Sequence, residues 1–197
     1  AVDCTGHGVP GALLSFIGYF NLNSIADHAE KMNAGEILDS LHLGVRKTLK
    51  QDAEDAEARD GMDIALCKIN FETRTLNFSG AHRPLYYLNS QKEFIQYKGT
   101  MQAIGGKPAR KGKEKNFENF EITFNQGEKI FFFSDGLPDQ IGGDDGRKYR
   151  TGRIRELIEG NPDLTMPQYR DLFEKDFFEW KGNNKQVDDI LLIGIEF

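Results

Sequence analysis

Hydrophobic spacing near the start of the chain predicts two helices. Apolar residues between residues 11 and 29 recur every three or four positions, which is typical of a helix with a wide buried face. The second helix is predicted from a single apolar stripe: Ile37, Leu41, Val45 and Leu49. Asn33, with Glu36 three residues later, is typical of its N-terminal cap, and the charged run of residues 50–60 predicts its end and an exposed loop.

The middle of the chain changes to strand patterns, and the end returns to helices. Strands are predicted over residues 64–71, 75–79, 84–88, 93–97, 120–124, 129–134 and 190–195, and helices over residues 151–159 and 166–180. Residues 129–134 and 190–195 are mostly apolar and predict buried strands, whereas residues 105–119 predict a loop. Two helix pairs around a strand-rich middle predict an α+β fold with a mainly antiparallel sheet.

Size and composition narrow the classes of protein. We expect residues 1–197 to form one domain, because no linker or repeat divides them. The balance of 25 Lys and Arg against 31 Asp and Glu argues against nucleic-acid binding. Two cysteines without metal-site spacing favour a reducing cytoplasm over a disulfide scaffold or a zinc site. No apolar run reaches the roughly 18 residues of a membrane span, so we expect no membrane contact.

Aspartates follow or precede three predicted strands. Asp3 follows two apolar residues, Asp135 follows residues 129–134, and Asp188 with Asp189 precedes residues 190–195. Carboxylates brought together at strand ends repel one another unless cations lie between them, which favours Mg²⁺ or Mn²⁺. Considered one at a time, each aspartate is better explained as a cap at a strand end.

Four ordered motifs resemble a known family. They occupy residues 3–12, 78–84, 134–140 and 186–190, and they resemble the protein phosphatase 2C-like enzymes of the SpoIIE/RsbU branch. The resemblance runs over the whole chain. It implies an αββα sandwich of two mainly antiparallel sheets flanked by helix pairs. It also implies two Mn²⁺ or Mg²⁺ ions and hydrolysis of phosphoserine or phosphothreonine on a partner protein by a metal-activated water.

The resemblance assigns roles to individual residues. Asp3 corresponds to the bridging metal ligand, Cys4 to the donor of a backbone carbonyl, and Asp135 and Asp188 to further ligands, while Asp189 holds Asp188 or a water in place. The family also has an upstream hairpin that supplies another metal-binding Asp. Because the chain begins within the first motif, we expect the domain to be incomplete at its N-terminus and weakly active or inactive as it stands.

The resemblance also implies a cellular setting. Family members are commonly joined to sensor domains, and the substrate is expected to be a phosphorylated regulatory protein such as an anti-sigma-factor antagonist. We expect a cytoplasmic domain, which another part of the full-length protein could anchor to a membrane. The oligomeric state is left open. The alternatives are a catalytically silent domain that binds a partner and, less favoured in an acidic chain, a nuclease or small-molecule phosphatase.

Several residues near the motifs keep two interpretations. His7 is either a proton donor to the leaving seryl oxygen or a structural residue of a glycine-rich turn. His82 and Arg83 either reach the substrate phosphate or shape a turn, with the structural interpretation preferred. Asp63 either lies near the centre or caps a turn. The basic run of residues 107–115 is either a docking site or a solvated face.

Overall fold

The computed structural model describes residues 1–6, 8–53, 60–106 and 115–197, which form two compact units. The first unit comprises Val2–Pro84 and Lys98–Thr123, and the second comprises Ala1, Leu85–Tyr97 and Phe124–Phe197. Each unit contains one main sheet and two long helices. No helix in the described part of the chain is long and apolar enough to cross a membrane.

The first unit is built on a five-stranded sheet. Its elements are β1 (Val2–Cys4), α1 (Gly8–Ala26), a 3₁₀ turn (Ala29–Lys31), α2 (Ala34–Thr48), β2 (Gly61–Asn70), β3 (Thr75–Ala81), β6 (Ile104–Gly105) and β7 (Phe120–Thr123). The strand order is β1-β2-β3-β7, and β6 also pairs with β2. All of these pairs are antiparallel.

The two helices of the first unit differ in how well their hydrophobic pattern predicts burial. In α2 the capping box of Asn33 and Glu36 is present, which confirms the predicted start, and the apolar stripe lies in the core. In α1, Leu14 is buried, but Leu13 is 57% exposed and Phe20 is 65% exposed. The prediction of a wide buried face on α1 was therefore wrong, because a narrower face contacts the core.

The second unit is built on a four-stranded antiparallel sheet. Its elements are β4 (Leu85–Leu88), β5 (Phe94–Tyr97), β8 (Lys129–Phe133), α3 (Gly136–Asp139), β9 (Ile141–Gly142), β10 (Arg147–Lys148), α4 (Arg150–Glu159), α5 (Met166–Lys181) and β11 (Leu192–Glu196). The strand order is β11-β8-β4-β5, and β9 and β10 form a separate small hairpin.

Burial in the second unit agrees with one strand prediction and corrects another. The central strand β8 is buried at every position, as its apolar sequence predicts. By contrast, β11 is an edge strand of the sheet and is only partly buried, with Leu191 just before it exposed. The prediction of a buried last strand was wrong because an apolar run does not distinguish a central strand from an edge strand.

A buried carboxylate closes one end of the second unit. Glu128 is 3% exposed and accepts hydrogen bonds from the Tyr87 hydroxyl, from the amide N–H and hydroxyl of Ser90, and from the amide N–H and side chain of Asn125. Burial by itself raises the pKa of this carboxyl, but the hydrogen bonds outweigh burial and lower the pKa to about 2. Glu128 thus stays ionised and joins the turn before β8 to β4 and the turn that follows it.

Candidate functional site

Strand pairing places two aspartates side by side in the first unit. In the antiparallel pair of β1 and β2, Asp3 lies directly opposite Asp63, so the two side chains share one face of the sheet. The Asp3 side chain is 31% exposed and that of Asp63 is 24% exposed. Two like charges in directly opposite positions destabilise a sheet unless a positive charge lies close to them.

Arg83 provides that positive charge. One of its nitrogens, Nη2, lies 3.1 Å from Oδ2 of Asp3 and 3.2 Å from Oδ2 of Asp63. The Arg83 side chain is only 13% exposed, so water screens this interaction less than it would on an open surface. A single guanidinium group therefore bridges both carboxylates.

The end of β3 holds Arg83 in place through a tight turn. His82 has a φ of +57°, a left-handed conformation that is costly for a residue other than glycine, and its amide donates to the Thr100 carbonyl at 2.8 Å. Its Nδ1 lies 2.9 Å from Oδ1 of Asp63. A Cβ at Gly80 would meet the Arg83 carbonyl oxygen at 2.1 Å, so only glycine allows this close packing.

The loop after Asp3 is tied to β2. The Thr5 amide donates to the Gly61 carbonyl at 2.9 Å, and the Gly61 amide donates to the Thr5 hydroxyl at 3.0 Å. Cys4 lies between Asp3 and Thr5 and pairs with Met62, so its backbone is fixed by the same strand pair. His7, the predicted proton donor, lies outside the described residues.

The second unit brings the other predicted aspartates near one another. Asp135 follows β8 and begins the short helix α3, but its side chain makes no capping hydrogen bond to that helix. A Cβ on Gly136 would meet the Asp189 carbonyl oxygen at 2.3 Å and the Asp188 carbonyl carbon at 3.3 Å. The absence of a side chain at Gly136 therefore lets the segment with both aspartates approach the residue after Asp135.

Hydrogen bonds fix the segment that carries Asp188 and Asp189. The Ser134 hydroxyl donates to the Asp189 carbonyl at 2.9 Å and accepts from the Leu191 amide at 2.9 Å. The Asp189 amide donates to Oδ1 of Asp188 at 2.7 Å, so the Asp188 carboxylate has a local partner. This contact supports the capping interpretation for Asp188.

One residue of the third motif, Gln140, received no role from the motif resemblance. Its side chain is fully buried, donates to the Lys185 carbonyl at 3.0 Å and accepts from the Val187 amide at 3.4 Å. It thus anchors the residues that precede Asp188. Its sequence signal is a polar residue at the end of the third motif, which by itself is too common to be diagnostic.

The donor chemistry of the two units fits hard divalent cations. Asp3 and Asp63 already share a positive group, and carboxylate oxygens are the ligands that Mg²⁺ and Mn²⁺ prefer. Within residues 1–6, 8–53, 60–106 and 115–197, no group of three or more His, Cys, Asp or Glu residues forms a ready-made metal site. That the aspartates form one centre stays a prediction.

Two other features of the chain add little to the site. Burial raises the pKa of the Cys67 thiol to about 12, so this cysteine stays protonated near neutral pH and is a poor nucleophile. Of the basic run predicted as a docking site or solvated face, residues 107–114 lie outside the described residues.

Solved structures of phosphatase domains share this fold. The SiaA-PP2C domain of Pseudomonas aeruginosa matches with a TM-score of 0.84 and 26% identity over 100% of this chain and 74% of that chain. The PP2C phosphatase domain of SpoIIE from Bacillus subtilis, solved with a fragment of its regulatory domain, matches with a TM-score of 0.69 and 13% identity. That match covers 100% of this chain and 53% of the other.

A third match and the family model complete the comparison. A structure of RsbX in complex with magnesium matches with a TM-score of 0.59 and 15% identity over 98% of this chain and 77% of that chain. No curated protein matches the sequence. The family model "Stage II sporulation protein E (SpoIIE)" matches residues 1–197, which confirms the resemblance drawn from the motifs. The chain therefore belongs to the SpoIIE family, and its α+β fold is that of PP2C-type phosphatase domains.

Proposed function

We propose that this chain is a metal-dependent serine/threonine protein phosphatase domain. The observation that carries the proposal is the shared guanidinium at Asp3 and Asp63. These two carboxylates lie opposite each other and are partly exposed, and a cationic group already lies between them.

The proposed ligands are those that the motif resemblance implies. Asp3, the backbone carbonyl of Cys4, Asp135 and Asp188 would hold two Mn²⁺ or Mg²⁺ ions, and Asp189 would help to hold Asp188. The magnesium in the RsbX structure supports this choice of metal. When bound, such ions lower the pKa of water and neutralise charge on phosphoryl oxygens.

The reaction is a hydrolysis that needs no protein nucleophile. The oxygen of water bonds to phosphorus and gives up one proton to the solvent, as the bond between phosphorus and the seryl or threonyl oxygen breaks. The leaving oxygen then takes up a proton, for which His7 is the proposed donor. Asp3 and Asp135 would contribute by holding the cations that neutralise charge on the phosphoryl oxygens.

The proposed substrate is a phosphorylated regulatory protein, such as an anti-sigma-factor antagonist. The SpoIIE structure that resembles this chain contains a fragment of a regulatory domain, which supports a phosphatase domain under the control of another domain. We propose a cytoplasmic location and a sensor domain elsewhere in the full-length protein.

The test is hydrolysis of a phosphoserine peptide by the full-length protein with and without Mn²⁺. Asp135→Asn keeps the size of the side chain but removes a charged ligand, so we expect kcat to fall by about a thousandfold or more. The matched control is Asp145→Asn, which changes an exposed aspartate paired with Arg147 in the same unit and should leave kcat unchanged.

Two results would contradict the proposal. Equal activity in wild type and Asp135→Asn would remove that aspartate from the site. A folded, metal-loaded wild type with no activity on phosphoserine and phosphothreonine peptides would favour the catalytically silent, partner-binding domain instead.

A further inference from the structure

We propose that Arg83 is a built-in counter-cation that competes with the divalent ion for Asp3, and that Asp63 holds Arg83 when the ion binds. This inference rests on the proposed function, because it takes Asp3 as a metal ligand. It assigns Arg83 and Asp63 to the control of metal affinity, a role that the motif resemblance does not give them.

The geometry suits an exchange of partners. The same nitrogen of Arg83 contacts both carboxylates at nearly equal distances, 3.1 Å for Asp3 and 3.2 Å for Asp63. A small movement of the guanidinium therefore breaks one contact and keeps the other. Because the side chain is largely shielded from water, Arg83 does not gain a well-solvated alternative when it leaves Asp3.

Asp63 is the better fixed of the two partners. Its Oδ1 contacts Nδ1 of His82 and its Oδ2 contacts Arg83, so both oxygens are engaged by residues at the end of β3. Its side chain is also the less exposed of the two. The arrangement leaves Asp3 as the carboxylate from which Arg83 is displaced.

Electrostatics gives the two partners opposite effects on metal binding. Arg83 places a positive charge beside Asp3 and so opposes the approach of a divalent cation. Asp63 draws that charge away and so favours the cation. If both residues were merely structural supports of Asp3, removing either one would weaken metal binding.

The test is the dissociation constant for Mn²⁺, measured by isothermal titration calorimetry on the full-length protein at fixed pH. We expect Arg83→Gln to bind Mn²⁺ roughly tenfold more tightly and Asp63→Asn roughly tenfold more weakly than wild type, each equivalent to about 1.4 kcal/mol. Arg83→Lys, which keeps the charge, should stay within about threefold of wild type.

Matched controls lie in the same unit. Arg74→Gln removes an exposed cation from the turn between β2 and β3, and Asp27→Asn removes an exposed carboxylate after α1. Neither should change the affinity for Mn²⁺. Thermal unfolding gives a second readout: in EDTA, Arg83→Gln should unfold at a lower temperature than wild type, and Mn²⁺ should raise its unfolding temperature by more.

The possible failures are distinguishable. If wild type binds no Mn²⁺, both the proposed metal site and this inference fail. If wild type binds Mn²⁺ but Arg83→Gln binds it equally or more weakly, only this inference fails. Unchanged Mn²⁺ binding with a raised KM for the phosphopeptide would show that Arg83 contacts substrate instead. If Asp63→Asn does not fold, the sign of the Arg83→Gln effect still decides.

Discussion

Asp3 in the first unit and Glu128 in the second are two carboxylates kept ionised by different means. Glu128 is buried and receives all of its contacts from neutral groups: two backbone amides, two hydroxyls and a side-chain amide. Asp3 is partly exposed and lies against the positive charge of Arg83, which it shares with Asp63.

The charge of the partner and the exposure of the carboxylate indicate which of the two acids is suited to bind an ion. Directed neutral donors fix Glu128 in one geometry, and no divalent ion could replace them without leaving buried donors unpaired. A guanidinium group beside a partly exposed carboxylate can be exchanged for another cation at lower cost. Exposure and the charge of the partner thus separate the structural acid from the proposed functional one.

The largest expected effect on stability is that of Glu128→Gln. The variant turns one carboxylate oxygen into an NH₂ group, which in either orientation of the amide faces a backbone N–H that cannot turn away, that of Ser90 or that of Asn125. We expect a loss of about 3–4 kcal/mol in the free energy of unfolding, measured by urea denaturation. Glu121→Gln, on the exposed side of β7, should change this free energy by less than about 0.5 kcal/mol.

Wild-type stability in Glu128→Gln would contradict the structural role of Glu128. A loss of affinity for Mn²⁺ in the folded variant would also contradict that role, since Glu128 would then belong to the metal site.

The pH dependence of the free energy of unfolding tests the contribution of ionised Glu128 separately. The pKa of Glu128 is lowered from 4.5 to about 2 on folding, so its contribution is complete above the unfolded pKa and is lost as the pH falls towards 2. We expect this carboxyl to account for about 3 kcal/mol of the fall in stability between pH 5 and pH 2. Glu128→Gln should show a correspondingly shallower fall, measured by urea denaturation at each pH. If the stability of wild type and of Glu128→Gln fell in parallel as the pH decreased, Glu128 would not be the source of the acid sensitivity.

A smaller effect on stability is expected from a substitution at Gly136, which packs against the segment of Asp188. A methyl group in Gly136→Ala would press against the backbone of Asp188 and Asp189, so we expect a loss of about 1–2 kcal/mol in stability and weaker binding of Mn²⁺. The measurements are thermal unfolding and calorimetry. The control is Gly152→Ala in α4, where the added methyl meets no atom and should stabilise the helix by up to about 1 kcal/mol. Unchanged metal binding in Gly136→Ala would separate the segment of Asp188 from the site.

The sequence predicted those helices and strands that are determined by residues close together in the chain. The start of α2 followed from Asn33 and Glu36, because a capping box is made by residues three positions apart. The short helix α3 and the strands β6, β9 and β10 were missed, because a single helical turn or a strand of two residues shows no measurable period. The exposed side of α1 was also missed, because spacing alone does not show which apolar residues reach the core.

Some residues of the candidate site were likewise predictable from the sequence, and others were not. Asp3, Asp135 and Asp188 were found from their place beside apolar strands and from the motifs. The pairing of Asp3 with Asp63 depends on strand register, and the role of Arg83 depends on a turn that returns β3 to that pair. Contacts between residues 80 positions apart leave no local pattern in a single sequence.

The most direct test of the account compares Mn²⁺ binding to Asp3→Asn and Glu128→Gln by isothermal titration calorimetry of the full-length protein. We predict that Asp3→Asn binds Mn²⁺ at least about tenfold more weakly than wild type, and that folded Glu128→Gln keeps the wild-type affinity. Wild-type affinity in Asp3→Asn would contradict the assignment of this carboxylate, with its shared arginine, to the metal site.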